Sequence, residues 1–168
     1  MEIKSDILLK GTVWNTVITG LSDIFKTRTH YSLYMLSLAI GIMYDRRIKT
    51  PEENGEEPKN VPRNVINNND NGKLDFYFQA AILSTLTEPF TEEQRLELAF
   101  GEKTDFNKIA FLTEYANFGA TKLAELIGDT TIETMENIKN FMVATVEGRN
   151  FDIDELILED LEIEDLRI

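Results

Sequence analysis

Residues 29–45 read THYSLYMLSLAIGIMYD, and this stretch decides the fold class. Its apolar side chains recur at steps of three and four residues, which places them on or near one face of a helix. They are Tyr31, Tyr34, Met35, Leu38, Ile42 and Met43. Thr29 belongs to the residue types that cap helix N-termini, so we expect the helix to follow it. We predict that this segment is the central helix of a single all-α domain.

The sequence on either side of the central helix indicates further helices, about five to six in all. Helical spacing or boundary residues mark the ranges 12–24, 74–86, 92–100, 105–127 and 130–148. Thr91 with Gln94, and Thr130 with Glu133, have the form of a capping box, in which two residues satisfy each other's backbone N–H groups. Within 105–127, Gly119 predicts either a bend between two helical segments or a point of close packing.

Between residues 46 and 73 the helical pattern is lost, and we predict a long surface loop. Prolines, glycines and asparagines leave little apolar area to bury. They are Pro51, Pro58, Pro62, Gly55, Gly72 and five asparagines between Asn64 and Asn71. So long a loop inside a compact domain is uncommon, so it is either functional or disordered. We predict a helical domain over residues 1–150 that contains this loop, followed by an acidic tail over residues 151–168.

The acidic tail concentrates the negative charge of the chain. The net charge is −13, and the tail contributes eight carboxylates against the single cation of Arg167. These carboxylates belong to Asp152, Asp154, Glu155, Glu159, Asp160, Glu162, Glu164 and Asp165. Such a surface repels phosphate backbones and anionic lipids, so we expect no direct binding to nucleic acid or to a membrane. We predict that these eight residues bind a basic surface on a partner protein.

The apolar residues of the tail fit two conformations. Leu161 and Ile163 alternate with acidic residues as they would in a strand. Alternatively, one side of a helix can hold Ile153, Leu156, Ile157, Leu161 and Leu166. We therefore expect an extended segment or one that folds conditionally.

The composition predicts a cytoplasmic protein. The chain has no cysteine, which excludes disulfides, thiolate nucleophiles and cysteine-based zinc sites. Residues 1–10 lack the basic flank and apolar stretch of a secretory signal. The longest run without a charged residue or a histidine, Tyr31–Tyr44, has fourteen residues. A membrane-spanning helix needs roughly 20, so a buried core helix is favoured.

The residues predict no catalytic, metal or cofactor site, and we expect that the protein is not an enzyme. His30 is the only histidine, so a partly exposed structural role is favoured for it. Residues 67–75 space their oxygen-bearing side chains as a calcium loop does, but Phe78 stands where the bidentate Glu is required, which favours an Asn-rich turn. The basic cluster of Arg46, Arg47 and Lys49 is expected to complement the dipole at the end of the central helix.

Two stretches share a pattern with a known family. Residues 25–48 read FKTRTHYSLYMLSLAIGIMYDRRI, and residues 106–127 read FNKIAFLTEYANFGATKLAELI. An aromatic-rich helix ends in a small residue and a basic pair, and a later helix carries an aromatic residue, an Asn and a Gly. These features are Gly41, Tyr44, Arg46, Arg47, Tyr115, Asn117 and Gly119. The pattern resembles small accessory proteins of bacterial DNA phosphorothioate (Dnd) defence systems, which implies an accessory subunit without a catalytic residue to transfer.

We therefore predict a non-catalytic accessory subunit of a prokaryotic defence complex, which docks onto a basic surface of a nucleic-acid-processing protein. The alternative is an acidic inhibitor that mimics DNA, of the anti-restriction or anti-CRISPR type, which requires carboxylates ordered on a surface. Removal of residues 151–168 separates the two. A mimic that relies on the tail would lose its inhibition, whereas a subunit that docks through its aromatic helices would keep its partner.

Overall fold

The computed structural model of the chain describes residues 3–53, 55–101 and 105–146. These residues form eight helices and one two-stranded sheet, so the mostly helical fold class is confirmed. In chain order the elements are β1 (Ile7–Leu9), α1 (Thr12–Gly20), α2 (Ser22–Phe25), α3 (His30–Met43), β2 (Lys59–Val61), α4 (Arg63–Asn69), α5 (Lys73–Ser84), α6 (Glu92–Phe100), α7 (Lys108–Glu125) and α8 (Thr131–Val146). The chain divides into two compact units, Met1–Ile127 and Gly128–Ile168. Helix α8 is the only described element of the second unit.

Helices α3 and α7 form the centre of the first unit and cross with their backbones in close contact. A Cβ atom added to Gly41 would clash with the backbone of Tyr115, and one added to Gly119 would clash with the backbone oxygen of Ser37. Two helices approach this closely only where the crossing residues lack side chains. Helix α7 is continuous through Gly119. The predicted bend is therefore wrong, and the alternative of close packing is confirmed.

The core of the first unit is built from large side chains on the inner faces of the strands and helices. The largest fully buried ones are Leu9, Trp14, Leu21, Tyr34, Leu38, Ile66, Leu74, Phe78, Ile82, Leu112, Tyr115 and Leu123. The Trp14 indole N–H donates to Asn117 Oδ1 at 2.8 Å, and Asn117 Nδ2 donates to the Ile48 carbonyl oxygen at 2.9 Å. These bonds satisfy polar groups that would otherwise be costly to bury. The helix predicted over residues 12–24 is interrupted at Leu21, which leaves α1 and α2.

The loop predicted over residues 46–73 is wrong in its second half. Lys59–Val61 pairs antiparallel with β1, with Ile7 opposite Val61, and α4 follows directly. Val61 and Ile66 are both fully buried. Two well-spaced apolar side chains therefore anchor a segment whose composition, rich in Pro and Asn, predicts no structure.

The predicted helix caps are confirmed to different extents. At α6 both bonds of the capping box are present, since the Gln94 N–H donates to Thr91 Oγ1 and the Thr91 N–H donates to Gln94 Oε1. At α8 the Glu133 N–H donates to Thr130 Oγ1 at 3.1 Å, as predicted. At α3 the Thr29 side chain accepts no capping bond. The predicted end of α8 at residue 148 and the acidic tail lie outside the described residues.

Candidate functional site

The end of α3 is joined to the segment after α5 by Asp45. Its backbone has a positive φ of 48°. Its carboxylate accepts hydrogen bonds from the Leu86 N–H at 2.7 Å, the Thr87 N–H at 3.3 Å and the Tyr115 hydroxyl at 2.8 Å. Burial raises the pKa of Tyr115, and the neighbouring Asp45 carboxylate adds to that rise, so the phenol remains a donor. With three donors bound, Asp45 is an anchor for the chain segment that follows α5.

Arg47 holds the same segment from the other side. Its side chain is only 10% exposed, and its guanidinium forms ion pairs with Glu88 and, at 3.3 Å, with Glu114 of α7. The guanidinium also lies over the rings of Phe111 and Tyr115, with its carbon 4.8 Å and 5.5 Å from the two centroids. A planar cation suits both carboxylates and aromatic faces. The predicted role of Arg47 at the helix dipole is therefore corrected, because it links α3, α7 and the segment after α5.

Helices α5 and α6 form an antiparallel pair whose register is set by two hydrogen bonds. Gln79 Nε2 donates to the Ala99 carbonyl oxygen at 3.2 Å, and Arg95 Nη1 donates to the Ile82 carbonyl oxygen at 2.8 Å. Residue 79 is thus level with residue 99, and residue 82 is level with residue 95. The same Arg95 guanidinium also donates to the Glu88 carbonyl oxygen at 3.2 Å. This bond joins the helix pair to the segment that Asp45 and Arg47 hold.

The outer side of this helix pair carries four large apolar side chains that are exposed. They are Phe76 (67% exposed), Leu83 (43%), Leu96 (48%) and Phe100 (63%). Phe76 and Leu83 are two turns apart on the side of α5 opposite its buried residues, and Leu96 and Phe100 are one turn apart on α6. The register brings Leu83 level with Leu96 and places Phe76 near the level of Phe100. We call these four residues the hairpin surface.

Carboxylates flank the hairpin surface. Glu92, Glu93 and Glu97 of α6 are exposed, and Asp75 of α5 is half-buried. Arg95, the basic residue of α6, directs its guanidinium to carbonyl oxygens of the protein itself. The surface thus has an apolar centre and a net negative rim, in which the three exposed carboxylates of α6 outnumber the exposed Lys73 of α5. An apolar centre with a charged rim is the usual composition of a protein interface, and the sign of this rim suits a basic partner.

The residues of the hairpin surface are not among the site residues predicted from the sequence. The sequence does contain a signal for them, because α5 is apolar on two opposite sides. Leu74 and Phe78 face the core, whereas Phe76 and Leu83 face outward. A helix that is apolar on two sides requires two apolar environments, and the described residues of this chain supply one of them.

The sequence-predicted partner-binding carboxylates, which are the eight acidic residues of the tail, lie outside the described residues. The structure does place the sole histidine. His30 Nδ1 is 3.1 Å from the backbone oxygen of Asn60, and the ring is half-buried. This contact with β2 gives His30 a structural role, as predicted.

The segment that resembles a calcium loop forms the junction between α4 and α5. Asn67 and Asn69 belong to α4, so they do not line a loop. The Asp70 carboxylate accepts bonds from the Gly72 N–H at 3.1 Å and the Leu74 N–H at 2.9 Å, which begins α5. The predicted Asn-rich turn is confirmed only for residues 70–72. Among the described residues no group of three or more His, Cys, Asp or Glu side chains is arranged to hold a metal ion.

Comparison with known proteins identifies no relative of this chain, so the site is interpreted from its own geometry. No protein-family model, no curated protein and no solved structure matches the chain. In the part of the chain that the structure describes, no helix is both long enough and apolar enough to cross a membrane.

Proposed function

We propose that this protein is a non-catalytic binding subunit that docks onto a basic surface of a partner protein through its hairpin surface. The observation that carries the proposal is the group of four exposed apolar side chains on one side of α5 and α6. Single exposed apolar residues are normal on a monomer, but a grouped set with a polar rim is typical of an interaction site. Asp45 and Arg47 support this role by fixing the position of the helix pair.

The two parts of the hairpin surface contribute differently to binding. Burial of Phe76, Leu83, Leu96 and Phe100 would supply most of the affinity, because large apolar anchors dominate interface energies. The carboxylates of α6 would raise the association rate with a basic partner and would make that rate sensitive to salt. A complex held in this way forms faster at low ionic strength and still persists at high ionic strength.

The narrower proposal names a nucleic-acid-processing protein of a prokaryotic defence complex as the partner. It rests on the resemblance of residues 25–48 and 106–127 to Dnd-associated accessory proteins. These two stretches contain α3 and α7, which pack against each other and form the scaffold for the helix pair. The defence setting is therefore a proposal about which partner is bound, and the hairpin surface is a proposal about how it is bound.

A DNA mimic would present its carboxylates in rows that replace phosphates. On α6 the carboxylates are interrupted by Leu96 and lie beside Phe100, which favours docking of a protein over mimicry of a nucleic acid. The role of the eight tail carboxylates remains a prediction.

Substitution of two exposed apolar residues tests the proposed docking. We expect the double variant Leu96→Ser, Phe100→Ser to capture at least about tenfold less partner at high salt. The reason is that each buried anchor contributes about 1–2 kcal/mol to the binding free energy. Both side chains are exposed, so the variant should fold with nearly unchanged stability. The measurement is quantitative mass spectrometry of proteins captured on the tagged chain at two salt concentrations. Ile132→Ser is the matched control, because Ile132 is 72% exposed on α8.

Two results would argue against this proposal. One is capture of the same partner at full yield by the double variant. The other is loss of the partner only on removal of residues 151–168, which would assign the docking to the acidic tail.

A further inference from the structure

A second concave surface lies in the first unit, between strand β1 and helix α7. It is a groove with a volume of about 530 Å³. Residues 3–8 line one wall, and Asn107, Ala110 and Thr113 are among the residues that line the other. Lys59–Val61, the strand that pairs with β1, contributes no residue to the lining. The groove therefore follows the edge of β1 that faces away from β2.

That edge of β1 offers backbone hydrogen-bonding groups to the groove. The sheet in the described part of the chain has two strands, so β1 pairs with a described strand on one edge only. Successive residues of a strand direct their N–H and C=O groups to opposite edges, so part of the backbone of Ile7–Leu9 is directed toward the groove. An edge of this kind is a template on which an extended peptide can add as a further strand.

The charges around the groove favour an acidic occupant, although the chain as a whole is acidic. Three lysines are among its lining residues, Lys4, Lys10 and Lys49. Two carboxylates also line it, and both have partners within the chain. Asp6 accepts from Asn60 Nδ2 and from the Arg63 N–H, each at 2.8 Å, and Glu114 is ion-paired with Arg47 at 3.3 Å. Glu114 is thus compensated by Arg47, and the lysines outnumber the remaining carboxylate of Asp6, so the lining of the groove is net positive.

We propose that this groove binds an extended acidic peptide segment of a partner protein, which adds as a strand to the edge of β1 that faces away from β2 and places its carboxylates near Lys10 and Lys49. The strand edge supplies main-chain hydrogen bonds, and the lysines select acidic side chains. The groove and the hairpin surface have no residue in common. The inference is therefore independent of the function proposed above.

The first test uses the full chain and a fluorescent synthetic peptide of about eight residues in which valine and glutamate alternate, which extends over about 26 Å at the rise of a strand. Fluorescence anisotropy should show binding that weakens as salt is added. The double variant Lys10→Gln, Lys49→Gln should bind about fivefold more weakly, because it removes two exposed charge contacts. Lys59→Gln, an exposed lysine on β2 outside the groove, is the matched control and should bind like the wild type.

A second peptide tests strand addition separately from charge. It carries the same side chains, but alternate backbone amides are N-methylated and so cannot donate hydrogen bonds. We expect this peptide to lose most of its binding. Equal binding of the methylated peptide would overturn strand addition, and equal binding by the double lysine variant would overturn the role of charge. Displacement of the first peptide by millimolar inorganic phosphate would also overturn the proposal, because it would identify a simple anion site.

Discussion

Replacement of Gly119 by alanine is expected to lower the free energy of unfolding by about 3 kcal/mol or more, or to prevent folding. The added Cβ would overlap the backbone oxygen of Ser37, and a backbone atom in a helix cannot move aside as the end of a side chain can. Helices α3 and α7 would have to separate, which would loosen the most extensive contact between two elements in the described part of the chain. The measurement is urea denaturation followed by circular dichroism.

Gly20→Ala is the matched control for this experiment. Gly20 also lies in a helix, but its added Cβ would meet the Ile127 side chain, with Cδ1 at 2.6 Å. That atom is the flexible end of a side chain that can shift, so we expect a much smaller loss of stability than for Gly119→Ala. Wild-type stability for Gly119→Ala would show that α3 and α7 do not cross at this point.

Replacement of Arg47 by methionine is expected to cost about 2–3 kcal/mol of stability. The change leaves Glu88 and Glu114, each with a side chain only 23% exposed, close together without their shared cation. Breaking a buried ion pair on one side is far more costly than losing an exposed one, because the remaining charge stays desolvated. Partial exposure of the two carboxylates keeps the expected loss at the lower end of the range for buried pairs.

Arg28→Met is the control for Arg47, since Arg28 is an exposed cation. We expect its free energy of unfolding to stay within about 0.5 kcal/mol of the wild type in the same urea titration. Equal stability of the two variants would mean that Arg47 does not hold the segment after α5. The helix pair would then need another anchor.

Local signals in the sequence were sufficient for elements that their own residues define. The capping box of α6 is predicted by Thr91 and Gln94, and both of its hydrogen bonds are present. The apolar spacing of residues 31–43 likewise defines α3 without reference to the rest of the chain. These elements could be predicted because the groups that stabilise them are within one or two turns in sequence.

Elements that depend on distant partners could not be predicted in this way. Strands β1 and β2 have three residues each, too few for an alternating pattern, and Ile7 pairs with Val61, which lies beyond α3 in the sequence. The roles of Asp45 and Arg47 were missed for the same reason, since their partners come from the segment after α5 and from α7. The hairpin surface was missed because the sequence does not show which apolar side of α5 faces the core.

The fold and the proposed function are connected through the α5–α6 pair. Asp45 and Arg47 fix the segment that leads from α5 to α6, and Arg95 ties α6 to that segment. The four exposed apolar side chains are therefore presented on a supported pair of helices. A binding surface held in advance in this way loses less conformational entropy when the partner docks.

The central claim, that the hairpin surface docks onto a basic partner, is tested most directly by photo-cross-linking at Phe100. A photoreactive phenylalanine analogue is placed at position 100, and in a second sample at position 132 on α8, and cells are irradiated before the complexes are purified. We predict that a single basic protein is cross-linked from position 100 and not from position 132. An intact complex that gives no cross-link from position 100, or equal cross-links from both positions, would contradict the claim.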